Sequence, residues 1–343
     1  MGIMLEKGSM SSSAIHAEMA RVGTEVSLVT VKRMLSEMVK LGALAVTGSG
    51  RAVRYQVTIQ GRILTDIDAK KYCAVEPDKR YGASGYNFDL FDGLSDDIFD
   101  EEELKRLDDS TKEYNDRAAD VSATLQKKEL VRLVVELAWK SSRIEGNTYT
   151  LLDTEKLILE NKEAPGHGKD EARMILNHKN AFYFIWEHSA KFKTFDLSNL
   201  EQLHAIIVKD SGVNLGLRKG LVGVTGSKYR PLDNVYQIRE AVEAMLRAVA
   251  RMKTPHAKAL LALVGISYIQ PFEDGNKRTS RLMADALLLA HGCAPLSYRS
   301  VDENEYREAM LVFYELNSIV PIKKIFIAQY EFAAKNYAVR IEN

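Results

Sequence analysis

Cysteine is almost absent from this chain: the only two, Cys73 and Cys293, lie far apart and lack the short paired spacing of a zinc site or a disulfide framework. Both read as reduced thiols of a cytoplasmic protein. Net charge is absent as well, with 47 Lys and Arg against 47 Asp and Glu. That balance excludes a general affinity of the whole molecule for nucleic acid or an anionic membrane, so any such affinity has to be local. No long hydrophobic run is present either. The longest nearly apolar stretch, residues 259–269, is too short to cross a bilayer, and the N-terminus has no basic segment followed by an apolar run and a small-residue cleavage site. The expectation is a chain that is neither secreted nor membrane-inserted. What is present is ordinary globular material, 46% hydrophobic and 27% charged, in a 343-residue length that allows two domains.

Residues 12–22 and 27–41 have the apolar spacing of helices, with Ser27 as N-cap of the second, Gly23 in the turn between them and Gly42 as the stop. Two β-compatible stretches follow, 43–47 and 53–59, joined by the turn-forming GSGRA. Two helices, a turn and a hairpin outline a winged helix-turn-helix over residues 1–65. This part holds eight Lys and Arg against four Glu, and Lys32, Arg33, Arg51 and Arg54 stand on the second helix and the hairpin, where such a fold meets DNA. A winged helix used only for protein contact or dimerisation has the same outline. Residues 66–101 are rich in aromatics, Gly and Asp without helical period, and read as an ordered connector whose aromatics dock on something. Residues 102–343 are dominantly helical, beginning with one stretch over about 102–143. Within them 220–232, GLVGVTGSKYRPL, reads as a β-hairpin or flap. The fold class is therefore mainly α: a small α-plus-hairpin domain followed by an all-α domain with a flap.

The stretch QPFEDGNKRTSR, residues 270–281, lies between two helical segments. A loop entering a helix through Asp-Gly-Asn suits phosphate: Gly275 permits close backbone approach, and the free N–H groups with the helix dipole favour an anion. Asp274 supplies a hard oxygen where Mg²⁺ would bridge phosphates. Arg278 and Arg281, three apart, project from one side of the new helix and can both face the anion. A turn that merely caps a helix carrying two solvated arginines fits the same letters.

This stretch resembles the signature of the Fic (Fic/Doc) family, HPFx(D/E)GN(G/K)RxxR, at Pro271, Phe272, Asp274, Gly275, Asn276, Arg278 and Arg281. Upstream, SSRIEGN at 141–147 resembles the family's inhibitory motif, (S/T)xxxE(G/N), at Ser141, Glu145 and Gly146. NHKNAF at 177–182 and the Leu203-His204 pair also follow the family's order, so the resemblance covers roughly 102–338. It implies a protein adenylyltransferase that moves AMP from ATP, with Mg²⁺, onto a Ser, Thr or Tyr hydroxyl of a target protein. Asp274 would hold the metal, and Gly275, Asn276, Lys277, Arg278 and Arg281 would line the nucleotide site. Glu145 would compete with the γ-phosphate for Arg281, the flap around Tyr229 would align a target segment by strand addition, and a homodimer is a further implied state.

Two letters depart from the pattern. Gln270 stands where the family has its general base, and an amide has no usable basic form, so transfer should lose roughly 10²- to 10⁴-fold. Whether the chain is an active enzyme is thereby left open. Lys277 stands where AMP-transferring members usually have glycine, and resembles the Doc branch, which transfers a phosphoryl group. The alternatives to an impaired adenylyltransferase are a non-catalytic, nucleotide-sensing transcription regulator and a Doc-like phosphotransferase.

Overall fold

The computed structural model describes residues 1–340. They divide into two compact units. The first comprises Met1–Ser95, Gly223–Arg230 and Glu308–Ile322, and the second Asp96–Val222, Pro231–Arg307 and the rest of the chain from Lys323.

The first unit opens with α1 (Gly2–Lys7), α2 (Ser12–Arg21) and α3 (Leu28–Lys40). Ser11 and Ser27 start α2 and α3 by accepting hydrogen bonds from Ala14 and Thr30 N–H, at 3.3 and 3.2 Å. The expected hairpin is β1 (Leu44–Thr47) against β2 (Arg54–Val57), antiparallel, with Leu44 opposite Val57 and Thr47 opposite Arg54. Met4, Met10, Ile15, Val31, Leu35, Leu44 and Val57 pack as its core. Gly48 in the hairpin turn has φ +77°, and a Cβ there would lie 2.4 Å from the Ala52 carbonyl oxygen, so only glycine fits.

The short helices α4 (Ile59–Ile63) and α5 (Ala69–Cys73) follow. Some of the connector's aromatics dock: Tyr72 packs with Val312 and Leu316 and Phe91 is fully buried, whereas Phe88 is exposed. Buried Glu315 accepts from Tyr72 Oη at 2.7 Å and pairs with Arg80 at 3.1 Å. Burial, then the neighbouring carboxylate, pushes the Tyr72 phenol far above its usual range.

The second unit is built from α6 (Glu101–Ala119), α7 (Ala123–Ile144), α8 (Leu151–Glu160), α9 (Lys169–Glu187), α10 (Leu197–Ile207), α11 (Val235–Arg251), α12 (Pro255–Ile269) and α13 (Asn276–Ala290). Helices α14 (Glu303–Leu316) and α15 (Val320–Asn336) give residues to both units. The single helix expected over 102–143 is two, because Ser122 takes an N-cap conformation and accepts from Leu125 N–H. Helix α8 was not expected; Thr150 caps it, bonded to Asp153. Helices α12 and α13 are buried along nearly their whole lengths and pack on each other, which places the loop between them at the centre of the unit.

One expectation needs correcting. Among the described residues the only sheet is β1–β2, and 220–232 is an extended segment with a turn at 225–226, without a strand ladder. The carbonyls at its two ends, Gly220 and Leu232, accept from the Arg218 guanidinium. Tyr229, in the first unit, is buried and stacks on Tyr314 with ring centroids 5.9 Å apart.

Candidate functional site

Helix α12 ends at Gln270, which takes the left-handed conformation at φ 52°. Its side-chain amide turns back to donate to the Ser267 carbonyl at 2.7 Å, and the residue is 7% exposed. The loop that follows is braced by Asn276. That amide accepts from Phe272 N–H and donates to Phe272 C=O, both at 2.8 Å, so the side chain shapes the loop and leaves anion contact to backbone N–H groups. Phe272 in turn stacks on His204, with centroids 3.7 Å apart and planes 9° from parallel, while His204 Nε2 lies 3.0 Å from the Asp274 carbonyl oxygen. Burial lowers the His204 pKa to about 4 and keeps the ring neutral, so Nε2 is the donor.

Gly275 opens α13 at φ +78°. A Cβ there would lie 2.9 Å from Val208 Cγ1, so glycine is demanded by packing as well as by conformation. Immediately beyond it stand the first-turn N–H groups that an α-helix leaves without intrahelical partners.

The two arginines are not solvated. Arg278 and Arg281 are both buried, which removes the reading of a surface pair on a capped helix. Arg278 pairs with the exposed Asp274 carboxylate at 3.0 Å; burial lowers its pKa, and Asp274 opposes that. Arg281 is fully buried. Its Nε donates to Ser141 Oγ at 2.7 Å, and its Nη2 donates to Ser141 C=O at 3.0 Å and to Glu145 Oε1 at 2.8 Å. Tyr306 lies against the guanidinium, 5.7 Å from ring centroid to Cζ. Nη1 is buried and has no hydrogen-bond partner among the described residues.

Glu145 sits at the C-terminus of α7, with Gly146 beyond it at φ +97°. Its second oxygen is 3.7 Å from Lys277 Nζ. Burial alone would raise this carboxyl, but Arg281, and after it Lys277, outweigh burial and hold it below the ordinary carboxylate range. The structure thus brings together Ser141, Glu145, Lys277 and Arg281, with Gly146 ending the helix that carries the glutamate. Tyr229 and the basic set Lys32, Arg33, Arg51 and Arg54 belong to the other unit.

Three further residues belong to the surroundings of the site, and two of them, Arg307 and Arg218, escaped sequence reasoning altogether. Arg307 donates to the Ile144 carbonyl and so closes the end of α7. Buried His178 lies near Arg281 and Arg278; burial, then those charges, push its pKa well down. Arg218 holds the Gln270 carbonyl at 2.6 Å. Local signals existed for His178, inside the NHKNAF stretch, and for His204, in the Leu203-His204 pair, but none for Arg307 or Arg218.

A metal here would have one protein carboxylate. Asp274 is exposed beside Arg278, and no group of three or more His, Cys, Asp or Glu capable of holding an ion occurs among the described residues. That donor set fits Mg²⁺ shared with a polyphosphate, which commonly takes one or two carboxylates and completes its shell with phosphate and water.

Residues 194–288 match the family model described as Fic/DOC family. Among curated proteins, the chain is 26% identical over 174 residues to a protein adenylyltransferase Fic of Nematostella vectensis, covering 50% of this chain and 41% of that protein. It is 27% identical over 171 residues to the like-named protein of Drosophila yakuba, covering 49% and 34%. The chain thus spans less than half the length of these relatives. Among solved structures, a Fic domain containing signaling protein from Bacteroides thetaiotaomicron aligns with TM-score 0.57 at 19% identity, over 70% of this chain and 99% of that one. Residues 134–508 of Fic-1 from C. elegans align with TM-score 0.58 at 17% identity, over 69% and 72%. The likeness of fold extends well beyond the matched segment, and the residues that match the Fic/DOC family model run from α10 into α13 and include the loop from Gln270 to Arg281.

Proposed function

We propose that the protein binds ATP at the N-terminus of α13 and belongs functionally with the protein adenylyltransferases, held off by Glu145 and lacking the usual base at position 270. The observation that carries this reading is the buried Arg281, whose charge is met by Glu145 at 2.8 Å while Nη1 is left without a partner. A guanidinium so placed is one that a phosphate can claim in place of the carboxylate. Backbone N–H groups of 275–278 would meet the phosphates, and Arg278 and Arg281 would take the distal ones. Asp274 would hold Mg²⁺, whose contribution is charge neutralisation on the phosphates. The inhibitory residues would be Ser141, Glu145 and Gly146, with Lys277 a second cation on the same carboxylate.

In the transfer itself a target hydroxyl oxygen bonds to the α-phosphorus, the bond to the bridging oxygen breaks, and pyrophosphate leaves. The hydroxyl proton passes to a phosphate oxygen or to water, because Gln270 offers only hydrogen bonds, with its amide N–H already given to Ser267. Position 270 therefore orients and does not take the proton, and the rate falls accordingly.

The test is label transfer from α-labelled ATP with magnesium by the protein as it stands, by Glu145→Gly, and by Glu145→Gly with Gln270→His. Label with Glu145→Gly alone supports an active enzyme, and label only with histidine restored supports a silenced one. No label in any of them refutes adenylyl transfer; a parallel γ-labelled sample then reads phosphotransfer.

A second reading concerns the first unit. Lys32, Arg33 and Arg51 are exposed on α3 and the hairpin turn, and Arg54 is exposed while reaching the Ser9 carbonyl at 3.0 Å. We propose residues 1–65 as a winged-helix DNA-binding domain using these four side chains, tested by the salt dependence of duplex binding.

A further inference from the structure

Arg218 is an arginine in a glycine-rich stretch, GLRKG, yet it is 2% exposed. Among its hydrogen bonds are four to backbone carbonyls on three pieces of chain. The backbone N–H donates to Pro271 C=O at 2.9 Å and Nε to Gln270 C=O at 2.6 Å. Nη1 donates to Gly220 C=O at 2.7 Å, and Nη2 to Leu232 C=O. Gly220 and Leu232 flank the 223–230 stretch that belongs to the first unit: they lie just before the chain leaves the second unit and just after it returns. One planar guanidinium thus clamps both ends of that excursion to the residue that ends α12.

Gln270 needs such a clamp. Its φ of 52° is a conformation that a non-glycine residue takes at a cost, and a charge-assisted bond to its carbonyl helps to hold it there. The fork of Nε, Nη1 and Nη2 reaches three carbonyls in different directions, which the single ammonium of lysine cannot do.

We propose that Arg218 is a positioning residue that couples the 220–232 segment to the setting of residue 270, so that whatever engages the segment is felt at the reacting end of α12. In mechanistic terms this rests on the adenylyltransferase reading. The coupling itself does not.

The test is hydrogen exchange on the full chain, with and without Arg218→Lys. In the unaltered protein, the hydrogen-bonded amides of Arg218, Gln270 and Phe272, with that of Ser227 in the segment, should open as one unit with a common protection. Arg218→Lys should speed their exchange at least tenfold while α7 and α9 keep theirs, and the affinity for ATP with magnesium should stay within about threefold. In a Glu145→Gly, Gln270→His background, Arg218→Lys should lower the rate of self-labelling from saturating α-labelled ATP at least tenfold, with the half-saturating ATP concentration little changed. The proposal is overturned if these amides open independently in the unaltered protein. It is overturned equally if Arg218→Lys leaves them unchanged, or if exchange rises uniformly along the chain. Absence of labelling in every background sinks the transfer reading alone, because the exchange experiment still decides the coupling.

Discussion

Replacing Glu145 by glutamine removes one charge while keeping shape, and the structure fixes what that does. The carboxylate faces two cations, Arg281 Nη2 at 2.8 Å and Lys277 Nζ at 3.7 Å, and the Arg281 side chain is 0% exposed. A hydrogen bond to a charged group contributes about 1.5–3 kcal/mol. The Glu145 side chain is 18% exposed, so water can replace part of what is lost, and about 1–2 kcal/mol is the expected loss of stability. The nucleotide-free variant should therefore melt a few degrees lower. ATP binding should change in the opposite sense. In the unaltered protein a phosphate must displace the carboxylate from Arg281, and in the variant it need not, so the same free energy returns as roughly 5- to 30-fold tighter ATP binding. Titration calorimetry gives the affinity, and thermal melts with and without ATP and magnesium give the linked stability. The upward shift produced by ATP should be larger in the variant. Equal affinities, or equal ATP-induced shifts, would refute the idea that carboxylate and phosphate compete for Arg281.

Two further outcomes are expected. His256 is buried, 3.3 Å from Thr111 Oγ1 and edge-on to Tyr330, and burial lowers its pKa to about 4 against an ordinary 6.5. The unfolded chain takes up the proton first, so this group's stability is present above pH 6.5 and is lost as pH falls toward 4, about 2 kcal/mol of it between pH 7 and 5. Buried Asp285, whose pKa is raised well above its usual value by burial, acts in the opposite sense over that window. The effect of His256 is therefore read as a difference: denaturant melts of His256→Gln should lose about 2 kcal/mol less than the unaltered protein across that interval, and parallel pH profiles would refute it. For the first unit, four phosphate contacts by Lys32, Arg33, Arg51 and Arg54 give a slope of log affinity against log salt near about −3.6. Duplex binding should weaken on the order of 100-fold between 50 and 200 mM salt, and binding that ignores salt removes the DNA reading.

What the sequence made legible was what is encoded locally. Ser27 as a cap, the GSGRA turn and the alternation around it predicted α3 and the hairpin, because caps and turn residues act within a few positions. The loop at 270–281 stood out because its candidate residues lie in consecutive letters. The flap was misjudged for the same reason: alternating valines and glycines between 220 and 232 carry the local pattern of a hairpin, but Arg218 takes the carbonyls at its two ends. Arg218 itself was invisible, since nothing in GLRKG says that the arginine is buried or that its partners lie 14 and 52 positions away. Arg307 at the end of α7 is another such case, paired across 163 positions. The missed helix α8 is short, and the break at Ser122 interrupts an apolar period that runs on either side of it.

On the proposed reading, a missing base at 270 and an anion site at Arg281 are separable for a physical reason. Arg281 lies within a helix with almost no exposed surface, and an uncompensated guanidinium there would cost several kcal/mol. Either Glu145 or a phosphate has to meet it. Asn276 and His204 likewise hold the loop through Phe272 and the Asp274 carbonyl, whether or not chemistry occurs. Gln270, by contrast, makes its side-chain bond only to Ser267, one residue-level contact that a histidine could forgo. Restoring histidine should therefore change the fate of the target's proton while disturbing little else. Removing Glu145 changes both the stability and the nucleotide affinity of the scaffold, which makes a comparison of the two substitutions, singly and together, a separation of catalysis from anion binding.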